Sequence, residues 1–167
     1  MKKTILSLLL MATAAMGVQA QQTATAQDPD SLYAKVLLPK GTEAPVFPAL
    51  KKGYWTVIDF WATWCPDCRR EIPTVKEMYH QYGTRAKFIG VSMDTDKAKL
   101  ESYTQANGVD WEQYSEFKKW KDTRISKDYN IGWLPSMYLI DPEGKVAYTT
   151  VLAERMNQKL AEIFGEK

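Results

Sequence analysis

The chain has 167 residues, of which 45% are hydrophobic and 12% aromatic, which is enough apolar material for one packed domain. Its 22 basic and 20 acidic residues give a net charge of +2, and 20 of each remain without Lys2 and Lys3. A chain with balanced charge lacks the basic surface that nucleic-acid binding needs. We therefore expect no nucleic-acid partner.

The first 20 residues are typical of a secretory signal peptide. Two lysines precede a mostly apolar run at residues 5–16, and residues 18–20 resemble a small-residue cleavage site. The apolar run is shorter than the roughly 20 residues that cross a bilayer, which favours cleavage over a retained membrane anchor. The sequence therefore predicts export to the periplasm. Residues 21–40 begin polar and without an apolar period, so we predict a flexible linker there, with 32–38 as a candidate strand or short helix.

Helices and strands alternate through the rest of the chain. The predicted elements are a strand at 55–61, a helix from Pro66 to about Gly83, a strand at 87–93, a helix at 98–105, a short helix at 124–129, strands at 136–140 and 145–150, and a helix at 156–164. Residues 110–122 have no clear periodicity, and residues 141–144 form a strong turn signal. This order predicts an α/β domain over residues 41–167 whose central sheet is mixed.

The two cysteines of the chain, Cys65 and Cys68, lie between the first predicted strand and the helix that follows it. A cysteine at a helix N-terminus faces unpaired amides and the positive end of the helix dipole, which favour its thiolate. The second cysteine lies one turn deeper on the same face. In an exported protein, where disulfides persist, this spacing suits dithiol exchange, with Cys65 attacking and Cys68 resolving the mixed disulfide.

Two structural uses of the cysteines explain the pattern less well. A bridge across so short a loop stabilises a fold by only about 2 kcal/mol in the chain-entropy model. A structural zinc site needs four ligands, whereas the chain has two cysteines and one histidine, His80, about three turns further along the helix. We therefore expect neither a metal nor a cofactor.

Two segments resemble the thioredoxin superfamily. Residues 57–68 closely resemble its active-site strand and turn, and residues 129–136 look like its cis-proline loop. Within the superfamily, the lead-in from Gly41 and the Cys-x-x-Cys-Arg-x-Glu-x-Pro run are similar to the TlpA/ResA-type exported thiol–disulfide oxidoreductases. The resemblance implies a thioredoxin fold with a central insertion, between about Asp94 and Tyr129.

The resemblance also implies a client-binding surface. Pro135 matches the cis-proline whose loop pairs with the client backbone by strand-like hydrogen bonds, and Leu134 precedes it. Trp64 and Pro66 flank Cys65 and are expected to shape the contact surface. Such enzymes act on disulfides of other proteins, so protein disulfides are the expected substrates.

Two acids are candidates for proton transfer. Asp59 matches the buried acid of thioredoxins, which exchanges a proton with the resolving cysteine, and burial suits it to do so near neutral pH. Many TlpA/ResA-type proteins carry Asn there. Glu71 matches an acid that the exported group places near the cysteines. Which of the two serves as the proton relay stays open.

Two further functions stay open as alternatives. One is a client-binding module of the same fold with an inert disulfide. The other is a peroxide reductase, but such enzymes carry Thr or Ser three residues before the reactive cysteine and Pro seven before it. Ala62 and Ile58 occupy those positions here, so the groups that bind peroxide are lacking.

The residues between the cysteines bear on the direction of electron flow. Asp67 places an anion where disulfide donors often carry a histidine, which disfavours the Cys65 thiolate and lowers the reduction potential. We therefore predict a reductase. By resemblance, a membrane thiol-transfer protein of the DsbD/CcdA type would re-reduce it, and apocytochromes c are possible clients. We expect the protein to act as a monomer.

Overall fold

The computed structural model describes residues 28–33 and 36–165 of the chain. Its elements are α1 (Pro29–Tyr33), β1 (Trp55–Trp61), α2 (Pro66–Tyr82), β2 (Ala86–Ser92), α3 (Lys97–Asn107), β3 (Glu112–Tyr114), a 3₁₀ turn (Trp120–Asp122), α4 (Arg124–Asp128), β4 (Ser136–Ile140), β5 (Val146–Thr150) and α5 (Ala153–Phe164). Among these residues, no helix has both the length and the apolar character that crossing a membrane requires.

The five strands form one mixed sheet in the order β3-β2-β1-β4-β5. Strand β1 runs parallel to β2, and β2 runs parallel to β3, because a helix crosses over between successive strands. Strand β4 runs antiparallel to both β1 and β5. The predicted mixed sheet with a hairpin at one edge is therefore confirmed.

The core lies around β1 and the face of α2 that packs on the sheet. All residues of β1 after Trp55 are buried, as its β-branched and aromatic composition predicts. The apolar positions of α2 keep helical spacing and form one buried stripe: Ile72, Val75, Met78 and Tyr82. This packing fixes the N-terminus of α2 at the end of β1, where the cysteines lie.

Two differences between the structure and the predicted elements lie at α5 and β3. Helix α5 begins at Ala153, three residues before the predicted start, because the Ala153 amide donates a hydrogen bond to the Glu71 carboxylate at 2.7 Å. The stretch without clear periodicity contains β3, which pairs with β2 at the edge of the sheet. Both differences depend on contacts between residues that are far apart in the sequence.

The described part of the predicted linker is packed against the domain. Residues 29–33 form α1, and the carboxylate of Asp30 accepts hydrogen bonds of 2.9 Å from the Thr150 hydroxyl and the Val151 amide. Leu37 is buried in the core. These residues therefore belong to the packed domain and not to a flexible linker. The predicted signal peptide and residues 21–27 lie outside the described residues.

Candidate active site

Cys65 and Cys68 form a disulfide at the start of α2, with their Cα atoms 5.3 Å apart. Cys65 is the N-cap residue in extended conformation, and its Sγ accepts a hydrogen bond of 3.1 Å from the Cys68 amide. Pro66 occupies the first helical position, where a backbone N–H would have no acceptor within the helix, so the lack of this group in proline costs no hydrogen bond. The local sequence therefore places Cys65 where unpaired amides favour negative charge on sulfur.

The disulfide is open to solvent over a small area. Cys65 keeps 5% of its surface exposed and Cys68 3%. Trp64 and Pro66, which flank Cys65, are exposed, Trp64 to 53%. The sulfur pair therefore lies at the base of a surface formed by these two side chains, with Cys65 slightly nearer to solvent.

The second predicted segment lies opposite the cysteines. The Leu134–Pro135 peptide bond is cis, and the Leu134 carbonyl oxygen is 3.8 Å from Cys65 Sγ. Strand β4 begins at Ser136 and pairs with Phe60 near the end of β1, so the antiparallel register brings the loop to the cysteines. The side chains of Leu134 and Pro135 are buried. The loop therefore presents its backbone to the site.

Asp59 is a buried acid in the middle of β1, 7% exposed. Its Oδ1 has no hydrogen-bond partner in the part of the chain that the structure describes. Burial, with a smaller contribution from the charge of Glu71, raises the pKa of Asp59 to about 7. Such a carboxyl group can accept or release a proton near neutral pH.

Glu71, whose charge raises the pKa of Asp59, has a hydrogen-bond partner of its own. Its Oε2 accepts the hydrogen bond from the first amide of α5, the residue Ala153. The N-terminus of a helix stabilises negative charge, so this contact holds the Glu71 carboxylate in place. The charge of Glu71 thus acts on Asp59, but of the two candidate acids only Asp59 has a buried oxygen without a hydrogen-bond partner among the described residues.

The acid between the cysteines is paired. The side chains of Asp67 and Arg70 form an ion pair across one turn of α2, with Arg70 72% and Asp67 46% exposed. The Arg70 guanidinium compensates the charge of the Asp67 carboxylate. The anion that disfavours the Cys65 thiolate in the sequence-based prediction is therefore partly neutralised.

Asp94 is a residue of the site that the sequence pattern gave no reason to select. Its carboxylate accepts hydrogen bonds from the Thr63 amide at 2.9 Å, the Thr63 hydroxyl at 2.6 Å and the Ser92 hydroxyl at 2.7 Å. Because Ser92 pairs with Trp61, the end of β2 adjoins the loop that leads to Cys65. Asp94 therefore fixes the loop on which the attacking cysteine is mounted.

Residues 38–149, about two thirds of the chain, match the AhpC/TSA family. The chain belongs to this family. The thiol-disulfide oxidoreductase ResA of Bacillus cereus is 29% identical over 109 residues, which are 65% of this chain and 61% of that protein. The chain thus matches less than two thirds of the length of this relative.

Solved structures confirm the thioredoxin-like fold. A thiol-disulfide oxidoreductase from Bacteroides fragilis NCTC 9343 superposes with a TM-score of 0.61 at 25% identity, covering 68% of this chain and 83% of its own. The thioredoxin domain of a thiol-disulfide oxidoreductase from Bacteroides vulgatus superposes with a TM-score of 0.67 at 22% identity. The match covers 75% of this chain and 98% of that one. The resemblance to TlpA/ResA-type proteins is confirmed, whereas the central insertion stays a prediction.

Proposed function

We propose that this protein is a thiol–disulfide oxidoreductase that exchanges its Cys65–Cys68 pair with disulfides of other proteins. One observation carries the proposal: the Cys65 sulfur caps α2 and lies 3.8 Å from the carbonyl oxygen that precedes a cis-proline. This arrangement gives the sulfur both a stabilising helix terminus and a backbone group that can hold a client beside it. The oxidoreductase names of similar proteins agree with this function.

The reaction transfers two electrons to the client in two exchange steps. The Cys65 thiolate attacks one sulfur of the client disulfide, which forms a mixed disulfide and releases the first client thiolate. The Cys68 thiolate then attacks the Cys65 sulfur, closes the disulfide of the protein and releases the second client thiolate. The Cys68 amide, which donates to Cys65 Sγ, supports negative charge on that sulfur in the reduced protein.

The client is held by its backbone. We assign the Leu134–Pro135 segment to strand-like pairing with the client, because its side chains are buried and its carbonyl group faces the site. Trp64 and Pro66 contact client side chains on the other flank of Cys65, where both are exposed. Backbone pairing suits clients of varied sequence.

Asp59 is the proton relay of this mechanism. Cys68 must lose a proton before it attacks, and a carboxyl group with a pKa of about 7 accepts one near neutral pH. The Glu71 carboxylate is bound to the Ala153 amide and is therefore less suited to this role. We assign Glu71 as a positioning residue, which orders α5 and raises the pKa of Asp59.

We propose the reductase direction. Glu71 lies one turn after Cys68 on α2 and acts electrostatically on Asp59, and a carboxylate near a thiolate disfavours the reduced form of the pair. A less stable reduced form has a lower reduction potential. Because Arg70 pairs with Asp67, the support for this direction comes from Glu71 and Asp59 more than from Asp67.

The cellular setting follows from the sequence. We propose that the first 20 residues direct export to the periplasm and that the protein acts there as a monomer on exported proteins. A membrane thiol-transfer protein of the DsbD/CcdA type would supply the electrons. Apocytochromes c, whose cysteines must be reduced before haem attachment, are candidate clients.

A trapping experiment tests the roles of the cysteines. The reduced Cys68→Ser variant is mixed with insulin, and the products are separated without reductant and identified by mass spectrometry. We expect a mixed disulfide through Cys65, because a serine hydroxyl in place of the resolving thiol cannot release the client. The matched Cys65→Ser variant should trap none, and equal trapping by the two variants would refute the assigned roles.

Redox equilibration with glutathione tests the direction. A potential near or below that of thioredoxin, about −270 mV, supports a reductase, whereas a value near −120 mV would make the protein a disulfide donor. Fast consumption of hydrogen peroxide that needs only Cys65 would instead favour the peroxide reductase. A disulfide that dithiothreitol cannot reduce would favour the client-binding module.

A further inference from the structure

A cavity of about 250 Å³ borders the cis-proline loop. Its walls include an aromatic and a charged part, and we call it the Tyr33 cavity after the residue that α1 contributes. The lining residues used below are Tyr33, Trp133, Pro135, Asp67, Arg70 and Glu71. Pro135 and Asp67 belong to the two segments that frame the disulfide, so the cavity lies beside the place where a client disulfide would react.

Helix α1 is fixed in place by a buried carboxylate. Asp30 accepts hydrogen bonds from Thr150 and Val151, and an Arg155 guanidinium nitrogen donates to its Oδ2 at 2.8 Å. A second nitrogen of Arg155 forms an ion pair with Asp28, also at 2.8 Å. These contacts tie the start of α1 to the junction between β5 and α5. Tyr33 is therefore held at the cavity by a set of specific contacts.

The aromatic wall is a stacked pair. The rings of Tyr33 and Trp133 lie 4.3 Å apart at an angle of 18°. Trp133 precedes Leu134 in the cis-proline loop and is 37% exposed. Stacked, partly exposed ring faces attract a cation, and they also contact the methylene groups of a long side chain.

The charged wall carries a net negative charge. Asp67 is compensated by Arg70, which leaves the Glu71 carboxylate as the uncompensated charge of the lining. Glu71 binds Ala153 through Oε2, so Oε1 can accept a further hydrogen bond. A second cavity of about 630 Å³ borders the same loop at Gly132 and is lined by Lys121 and Lys127. The linings of the two cavities therefore carry opposite net charge.

We propose that the Tyr33 cavity binds a lysine or arginine side chain of the client, close in sequence to the client cysteine that Cys65 attacks. The cation would lie against the Tyr33–Trp133 pair, with its donors toward Glu71. Helix α1 is then a specificity element of the active site. The inference rests on the proposed function, since it assigns the side chain that accompanies the attacked disulfide.

Matched peptides test this subsite. Each peptide carries one Lys or one Glu at one of four positions, the two before and the two after a central residue. In the first series the central residue is Ser, and binding is measured by calorimetry. In the second series it is Cys in a disulfide, and kcat/KM is measured. The proteins are the full mature chain and its Tyr33→Ala, Tyr33→Phe and Leu32→Ala variants. Leu32 lies next to Tyr33 on α1, is exposed and does not line the cavity, so it provides the matched control.

We expect the wild-type protein to bind the Lys peptide about three- to tenfold more tightly than the Glu peptide at one position. Tyr33→Ala should lose most of this preference, whereas Tyr33→Phe, which keeps the ring, and Leu32→Ala should retain it. The same ratios should appear in kcat/KM. Absence of a Lys preference in the wild-type protein, or its full retention in Tyr33→Ala, would overturn the inference.

Failure of the proposed function would look different. If no disulfide peptide is turned over, the oxidoreductase assignment falls, and the calorimetric comparison with the Ser peptides still decides whether the cavity selects a cation. If turnover is normal but the Lys and Glu peptides react equally, only the subsite is refuted.

Discussion

Two buried aspartates, one within β1 and one just after the neighbouring strand β2, have opposite surroundings. Asp59 lies within β1 and has an oxygen without a hydrogen-bond partner among the described residues, and its pKa is raised to about 7. Asp94 follows β2, is also buried, and accepts hydrogen bonds from Thr63 and Ser92. One acid is left with little to stabilise its charge, whereas the other is saturated with donors.

The difference teaches what each acid does for the site. A buried carboxylate that accepts several hydrogen bonds acts as a structural anchor, here for the loop before Cys65. A buried carboxyl group without partners destabilises the fold when it is charged, and such a group persists where proton transfer needs it. Asp59 therefore costs stability in return for proton transfer, whereas Asp94 stabilises the fold and positions the loop before Cys65.

The largest expected effect is on the pH dependence of stability. The folded-state pKa of Asp59, about 7, lies above its ordinary value of 3.8, so the folded protein binds a proton that the unfolded chain has released. The stability contributed by the protonated form is therefore complete below about pH 4 and is lost as the pH rises to about 7, by up to about 4 kcal/mol. Asp59→Asn should remove this loss.

Urea unfolding of the oxidised protein at pH 4 and pH 8 measures this effect. The free energy of unfolding of the wild-type protein should fall from pH 4 to pH 8, and that of Asp59→Asn should fall much less. Asp110 is exposed, so Asp110→Asn should show the same fall as wild type. Parallel profiles for wild type and Asp59→Asn would show that Asp59 ionises normally, and the relay assignment would lose its basis.

The next effect is a loss of stability at Asp94. Asp94→Ala leaves the Thr63 amide, the Thr63 hydroxyl and the Ser92 hydroxyl without their acceptor, and we expect a loss of about 3 kcal/mol. The free energy of unfolding from urea titrations, with Asp110→Ala as the exposed control, checks it. A loss below about 0.5 kcal/mol would place Asp94 with ordinary surface residues and remove the contrast with Asp59.

The smallest effect is the coupling between Glu71 and Asp59. The charge of Glu71 raises the pKa of Asp59, so Glu71→Gln should lower that pKa and move the stability loss to lower pH. We expect less than about 1 kcal/mol at pH 8. Titration of the Asp59 carboxyl carbon by NMR measures the change directly. Glu77→Gln, an exposed position on the same helix, serves as control, and an equal shift in both variants would exclude a specific coupling.

The sequence by itself determined the elements whose reasons are local. Strand β1 is recognisable from its run of β-branched and aromatic residues, and α2 from Pro66 and the apolar spacing behind it. The cysteine spacing can be read in a short segment, whereas the position of the cis-proline loop came from the resemblance to the thioredoxin superfamily. A local signal suffices there because periodicity, caps and turns act between residues a few positions apart.

The tertiary structure decided what depends on partners distant in the chain. Asp30 meets Thr150 across 120 residues, which made part of a predicted linker into a helix of the domain, and Glu71 meets Ala153 across 82, which set the start of α5. The role of Asp94 was equally invisible, because an aspartate in the sequence does not reveal its donors. Hydrogen bonds and desolvation are set by packing, so the chemistry of a buried acid is fixed only when the chain has folded around it.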